Sequence, residues 1–189
     1  MGRSAPSRPE ASGTFEWTSR SVEETQAFGE RLGAVLAAGD VIGFIGELGT
    51  GKTTLIQGLA KGLGIDPHQV KSPTFVLARE YAGRVPVTHL DGYRLDGESS
   101  VVWLDLEWMF SMRKVTVLEW ADRFEGCLPE DWLEVRLSHK STYHRQVAVC
   151  AHGPRSAARL DAIRAAVAQL ASAPAPSGPE PERAEEDAA

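Results

Sequence analysis

The chain has 189 residues, of which 42% are hydrophobic, with a net charge of −6 and two cysteines, Cys127 and Cys150. That is enough for one domain with a sizeable core and too little cysteine for a disulfide framework, so both thiols read as reduced and structural. The last ten residues hold five acids and one arginine, leaving only −2 on the body, which excludes nucleic-acid binding through a broad basic face.

No apolar run approaches the ~18 to 20 residues that span a bilayer, and Met1 to Gly13 carries Ser, Pro and Arg without an apolar signal core. The expected location is therefore cytoplasmic, with neither membrane nor DNA as a partner. Residues 1–13 are expected to be a flexible N-terminus. Phe15 to Thr18 then suggests a short strand, and Ser21-Val22-Glu23-Glu24 is a capping box that opens a helix running to about Ala38. Gly39-Asp40 turns the chain into Val41-Ile42-Gly43-Phe44-Ile45, a continuous apolar run of the kind found in buried parallel strands. Past a glycine-rich segment, Leu55, Ile56, Leu59 and Leu63 recur at helical spacing, with Gly64 as the stop.

Lys71 to Thr74 reads as a turn or extended linker. Phe75 to Tyr81 reads as a strand, Ala82-Gly83-Arg84 as a hairpin turn and Val85 to Leu90 as the returning strand. Ser99 to Phe110 carries Val102, Leu106 and Met109 at helical intervals, and Val115 to Leu118 makes a short apolar strand ending at Glu119-Trp120. Two further strands, Trp132 to Ser138 and His144 to Ala151, precede an amphipathic helix over Ser156 to Ala171. The Pro-, Ala- and Glu-rich stretch 172–189 has too little apolar surface to order itself and is expected to be a disordered acidic tail, which leaves 14–171 as the domain.

The segment between the buried strand and the helix, Gly46-Glu47-Leu48-Gly49-Thr50-Gly51-Lys52-Thr53, satisfies G-x-x-x-x-G-K-[ST]. Backbone N–H groups must wrap phosphate oxygens in such a loop, so side chains are excluded at the bend. Lys52 supplies an ammonium, Thr53 a hydroxyl for Mg²⁺, and the helix that begins there points the positive end of its dipole at the anion. Strand, loop and helix in that order predict a single α/β domain of the P-loop NTPase type. Its sheet should be mixed but mostly parallel, with an inserted β-hairpin and flanking helices.

Ligands of open α/β sheets gather beyond the carboxyl ends of strands. Asp91 follows Val87-Thr88-His89-Leu90, and Glu119 follows Val115-Thr116-Val117-Leu118. Either acid could bind Mg²⁺ or orient the attacking water, and spacing alone does not divide the labour; Asp91 could also be a turn residue with Gly92. Ser72-Pro73-Thr74 reads equally as a γ-phosphate sensor or as a plain turn before a strand. His89 reads more readily as a packed residue than a catalytic one. The five tryptophans read as anchors, with Trp120 placed to shape a site.

Gly-Glu-Leu-Gly-Thr-Gly-Lys-Thr-Thr at 46–54, Ser-Pro-Thr-Phe at 72–75, His-Leu-Asp-Gly-Tyr-Arg-Leu at 89–95, Leu-Glu-Trp at 118–120 and Leu-Pro-Glu-Asp at 128–131 together resemble the TsaE (YjeE) family, over about Phe15 to Ala151. The resemblance implies an ATPase subunit needed for N6-threonylcarbamoyladenosine at position 37 of tRNA. It would hydrolyse ATP in complex with a TsaB–TsaD heterodimer that performs the transfer, and would meet tRNA only through that complex.

On the matching positions, ATP and Mg²⁺ would lie across Gly46, Gly49, Thr50, Gly51, Lys52, Thr53 and Thr54. Lys52 would hold phosphate, Thr53 and Glu119 would bind the metal, and Asp91 would serve nucleotide binding and hydrolysis. Ser72 and Thr74 would form a switch segment, and Arg145 stands near a family arginine that contacts nucleotide. With no obvious internal arginine finger, turnover alone should be slow and partner-activated. The rival readings are a small-molecule P-loop kinase and a nucleotide-gated assembly protein in which hydrolysis is incidental. Arg113-Lys114 and the acidic tail depart from the family pattern.

Overall fold

In a computed structural model, described here for residues 13–95, 105–124 and 126–171, seven strands form one sheet. They are β1 (Gly13–Ser19), β2 (Val41–Ile45), β3 (Ala78–Tyr81), β4 (Val87–Asp91), β5 (Val115–Glu119), β6 (Trp132–His139) and β7 (Arg145–His152). Their order is β1-β7-β6-β2-β5-β4-β3. The central β6, β2, β5 and β4 run parallel; β7 and β3 are antiparallel to their neighbours. The mixed sheet and the β3–β4 hairpin thus agree with the sequence reading, with three parallel and three antiparallel pairings. The expected flexible N-terminus and disordered tail lie outside the described residues, apart from Gly13, which begins β1.

Both faces of the central strands are covered, which explains their unbroken apolar runs. Ile42, Phe44, Val115, Val117, Leu133 and Val135 pack toward helices α1 (Val22–Val35), α2 (Lys52–Gly62) and α4 (Pro154–Ala171). On the other face, Val41, Leu90, Leu118 and Trp132 pack with Met109, Ala121 and Phe124. These last residues belong to one helical turn, α3 (Leu106–Met109), and to a 3₁₀ turn, Ala121–Phe124. The longer helix expected from Ser99 is described only from this turn onward; residues 96–104 lie outside the description.

Ser21 caps α1, its hydroxyl accepting from Glu24 N at 3.1 Å, while Glu24 reaches back to Arg20 N at 2.8 Å. Ser21→Ala is expected to cost about 1 kcal/mol, lowering the midpoint of thermal unfolding by about 2–4 °C for a chain of this size. The helix stops at Val35, three residues before the expected Ala38. Leu36 turns extended, and the Arg84 guanidinium gathers the carbonyls of Gly33, Ala34 and Leu36 at 2.8–2.9 Å. Arg84 N also donates to Leu63 O at 2.8 Å, tying the hairpin tip to the end of α2.

α1 and α2 touch through glycines that the sequence reading passed over. Gly29 and Gly33 on α1, and Gly58 and Gly62 on α2, are each four residues apart, so each pair lines one face. A Cβ on any of the four would stand 2.1–2.2 Å from a backbone carbonyl of the opposite helix. Only hydrogen fits there.

The strand expected from Phe75 begins at Ala78 instead. Pro73 O accepts from Val76 N and Leu77 N, closing a turn, and Leu77 takes φ 65°, which breaks the extended run. Phe75 and Val76 are left exposed.

Candidate active site at the carboxyl edge of the sheet

β2, β4 and β5 run parallel and deliver the phosphate-loop motif, Asp91 and Glu119 to the same edge, with Asp91 opposite Glu119 and Phe44 opposite Glu119 in register. An open cleft of about 460 Å³ lies there. Gly49, Gly51, Lys52, Thr53 and Thr54 line it from the loop and α2, Ser72 and Thr74 from the segment before β3, and Asp91, Tyr93, Glu119 and Trp120 from the ends of β4 and β5. The volume falls within the ~300–1,000 Å³ usual for small-molecule sites.

The loop fits the backbone demands of its motif. Gly46 passes so near β6 that a Cβ would meet Leu137 O at 2.4 Å, and Gly51 caps α2 at φ 97°. The first helical bond is Leu55 N to Gly51 O. The N–H groups of residues 52–54 therefore have no partner within α2 and aim from its first turn toward the cleft. Gly46 and Thr50 do not line the cleft but shape the loop; the Thr50 hydroxyl donates to Glu47 O at 2.8 Å.

Lys52 is nearly buried. Its Nζ donates to Gly46 O at 2.6 Å and Glu47 O at 2.9 Å and stands 4.0 Å from the centroid of the Trp120 ring. Burial pulls the ammonium below its ordinary pKa of 10.5, against the opposing pull of the Glu119, Asp91 and Asp122 carboxylates. Trp120 reaches this position with φ 56°, a conformation that costs a bulky residue about 1–3 kcal/mol and collects at functional sites.

Asp91 and Glu119 are both buried and differently engaged. Asp91 Oδ2 accepts from Ser72 Oγ and, at 2.6 Å, from Thr74 Oγ1; Oδ1 accepts from Tyr93 N at 2.8 Å. Glu119 meets Thr53 Oγ1 at 3.1 Å through Oε2 and His89 Nε2 at 3.0 Å through Oε1. The two acids thus separate by neighbour: Asp91 holds the Ser72–Thr74 segment, and Glu119 pairs with the first hydroxyl of α2. Thr53 and Glu119 offer hard oxygen donors side by side at the cleft, a donor set suited to Mg²⁺.

Arg145 is not brought to the cleft. It opens β7 opposite His139, and its guanidinium turns back onto the carbonyls of Ser141, Thr142 and His144 at 3.1–3.3 Å. Arg94 lies over the Phe75 ring, 4.5 Å from its centroid. His89, read as a packed residue, is buried beneath the cleft with Nε2 on Glu119 Oε1. Its spacing of two from Asp91 puts both on the face of β4 that looks toward α2.

The profile of the family described as "Threonylcarbamoyl adenosine biosynthesis protein TsaE" matches residues 19–147. A protein of Bacillus subtilis named tRNA threonylcarbamoyladenosine biosynthesis protein TsaE is 38% identical over 142 residues, covering 75% of this chain and 88% of its own. One of the same name from Nostoc is 40% identical over 132 residues, covering 67% and 80%. The crystal structure of Bacillus subtilis YdiB superposes with a TM-score of 0.69 at 30% identity, over 81% of this chain and 95% of that one.

Proposed function

The chain belongs to the TsaE family, a family of P-loop ATPases that serves threonylcarbamoyladenosine formation in tRNA, and from that premise we propose that it hydrolyses ATP with Mg²⁺ as the nucleotide-driven subunit of that pathway. The observation that carries this reading is the convergence of the phosphate loop, Asp91 and Glu119 on one cleft.

Phosphoryl transfer to water needs alignment and charge neutralisation more than covalent chemistry. The loop N–H groups and Lys52 bind and neutralise the phosphates. Thr53 and Glu119 would hold Mg²⁺, which when bound would supply positive charge against the phosphates. Asp91, accepting from two hydroxyls and one N–H, keeps the Ser72–Thr74 segment against the cleft, from where those hydroxyls would turn from Asp91 to the terminal phosphate when it is bound. Ser72, Thr74 and Asp91 thus act together, and Arg145 is left out of this mechanism. Glu119→Gln should raise the Mg²⁺ concentration needed for half-maximal phosphate release by at least about tenfold while leaving metal-free nucleotide affinity near wild type, because one ligand charge is lost and the loop is untouched.

The reading includes activation by a TsaB–TsaD partner, and two features support it. No cation besides Lys52 lines the cleft among the described residues, so a charge-stabilising group has room to arrive from outside. Leu48, Phe75, Val76 and Tyr93, which line the cleft or follow Thr74, are all exposed, and grouped apolar side chains of this kind mark interaction sites. Among the described residues no helix is long and apolar enough to cross a membrane. Phosphate release by the purified chain, alone and with TsaB–TsaD and tRNA, tests the reading. Slow release that the partner accelerates is expected; equal rates would remove partner activation, and transfer to a small-molecule acceptor would favour a kinase.

A further inference from the structure

His89 stands beneath the cleft and has no role in the mechanism above. In β4 and β5, Val87, His89 and Asp91 alternate on the same side as Val117 and Glu119, with His89 opposite Val117 and Asp91 opposite Glu119. The imidazole is 1% exposed. Nε2 lies 3.0 Å from Glu119 Oε1, and the Tyr81 ring lies tilted against the imidazole with centroids 6.2 Å apart. Nδ1 has no hydrogen-bond partner.

An ionised carboxylate can only accept, so the proton between the two groups sits on Nε2. Nδ1 finds no partner whether it donates or accepts, so the bond from Nε2 is the ring's sole polar contact. That contact is spent on one oxygen of Glu119, while the other oxygen is the nearer to the Thr53 hydroxyl, 3.1 Å against 3.4 Å. A histidine that merely filled space would leave Nε2 as indifferent to Glu119 as Nδ1 is to its own surroundings.

We propose that His89 is a positioning residue for the metal-binding carboxylate: its Nε2–H fixes the rotation of the Glu119 head group so that Glu119 and the Thr53 hydroxyl present their oxygens to Mg²⁺ together. The inference rests on the reading of Thr53 and Glu119 as metal ligands. Partners that orient a ligand from behind are worth about 10–100-fold in metal affinity.

The test is calorimetric binding of a non-hydrolysable ATP analogue to the full chain in EDTA and across a Mg²⁺ titration. His89→Met fills the space without a donor. His89→Gln carries an amide that reaches the Nε2 position, and His89→Asn one that reaches only the Nδ1 position. Affinity in EDTA should stay within about twofold of wild type in all three, because the loop is unchanged. The Mg²⁺ concentration for half-maximal tightening should rise about tenfold or more in His89→Met and His89→Asn, with His89→Gln returning close to wild type. If His89→Met fails to fold, the contrast between Gln and Asn decides alone. Equal Mg²⁺ curves for Gln and Asn, or a parallel loss of metal-free affinity, would overturn the proposal and leave His89 as packing. A wild-type chain that shows no Mg²⁺ response would instead strike at the metal reading of Thr53 and Glu119, and the inference would fall with it.

Discussion

Lys52→Ala is expected to lower kcat/KM for ATP hydrolysis by about 10³-fold while the chain stays folded. The ammonium is held between the carbonyls of Gly46 and Glu47 and over the Trp120 ring, so it is already aimed at the loop before nucleotide arrives. Removing a preorganised charge from a partly desolvated phosphate site costs rate on the order of 10²–10³-fold or more. Fold stability should move little, since loss of those hydrogen bonds is offset by relief from burying a charge. Phosphate release against a thermal melt of the same sample separates the two effects.

The burial of Lys52 adds a pH signature. Because its pKa is lowered in the free chain, burial makes an unfavourable contribution to folding that is fully present below that lowered value. The contribution disappears as the pH rises toward the ordinary value of 10.5. Phosphate pulls the pKa back up, so ATP affinity should be level near neutrality and fall in the alkaline range at a pH below that of an ordinary lysine. Lys52→Arg, which keeps its charge throughout, should lose that fall while still losing rate. An alkaline limb unchanged in Lys52→Arg would assign it to another group.

Gly58→Ala should destabilise the fold by about 2 kcal/mol. The new Cβ would meet Gln26 O at 2.1 Å, and the obstacle is backbone on a packed helix, so relief requires α1 and α2 to separate. A backbone obstacle this close puts the overpacking cost at the upper end of its usual range, about 3 kcal/mol, which the roughly 1 kcal/mol that alanine gains over glycine inside a helix reduces to about 2. At about 2–4 °C per kcal/mol, the melting midpoint should fall by about 4–8 °C. Gly33→Ala, whose Cβ would stand 2.1 Å from Leu59 O, should act alike, and the double variant should lose less than the sum, because helices already moved apart leave room for the second methyl. An unchanged midpoint in Gly58→Ala would show that the helix pair is loosely seated.

Glycine inside a helical pattern looks from sequence like weakness, which is why this contact was missed. The signal was present as two pairs at a spacing of four, but their partnership depends on which helices lie side by side. Strand cores and the phosphate loop were legible because each rests on local chemistry: unbroken apolar runs, and glycines where a side chain cannot fit. Asp91 and Glu119 were legible as strand-end acids. Their division was not, since it depends on which hydroxyl stands opposite each one, a fact of register and of the turn at Pro73. Arg145 illustrates the converse, a plausible residue type at the proper edge whose side chain folds onto its own turn.

Arg84 has a mechanical consequence. Through its side chain and backbone it fastens the tip of the β3–β4 hairpin to the ends of both α1 and α2, so that moving the tip would mean breaking those bonds. The proposed Ser72–Thr74 switch would then turn about the left-handed backbone at Leu77 rather than about the hairpin tip. On that reading the switch would displace Phe75 and Val76, which follow it and are exposed, a short stroke delivered to whatever rests on them.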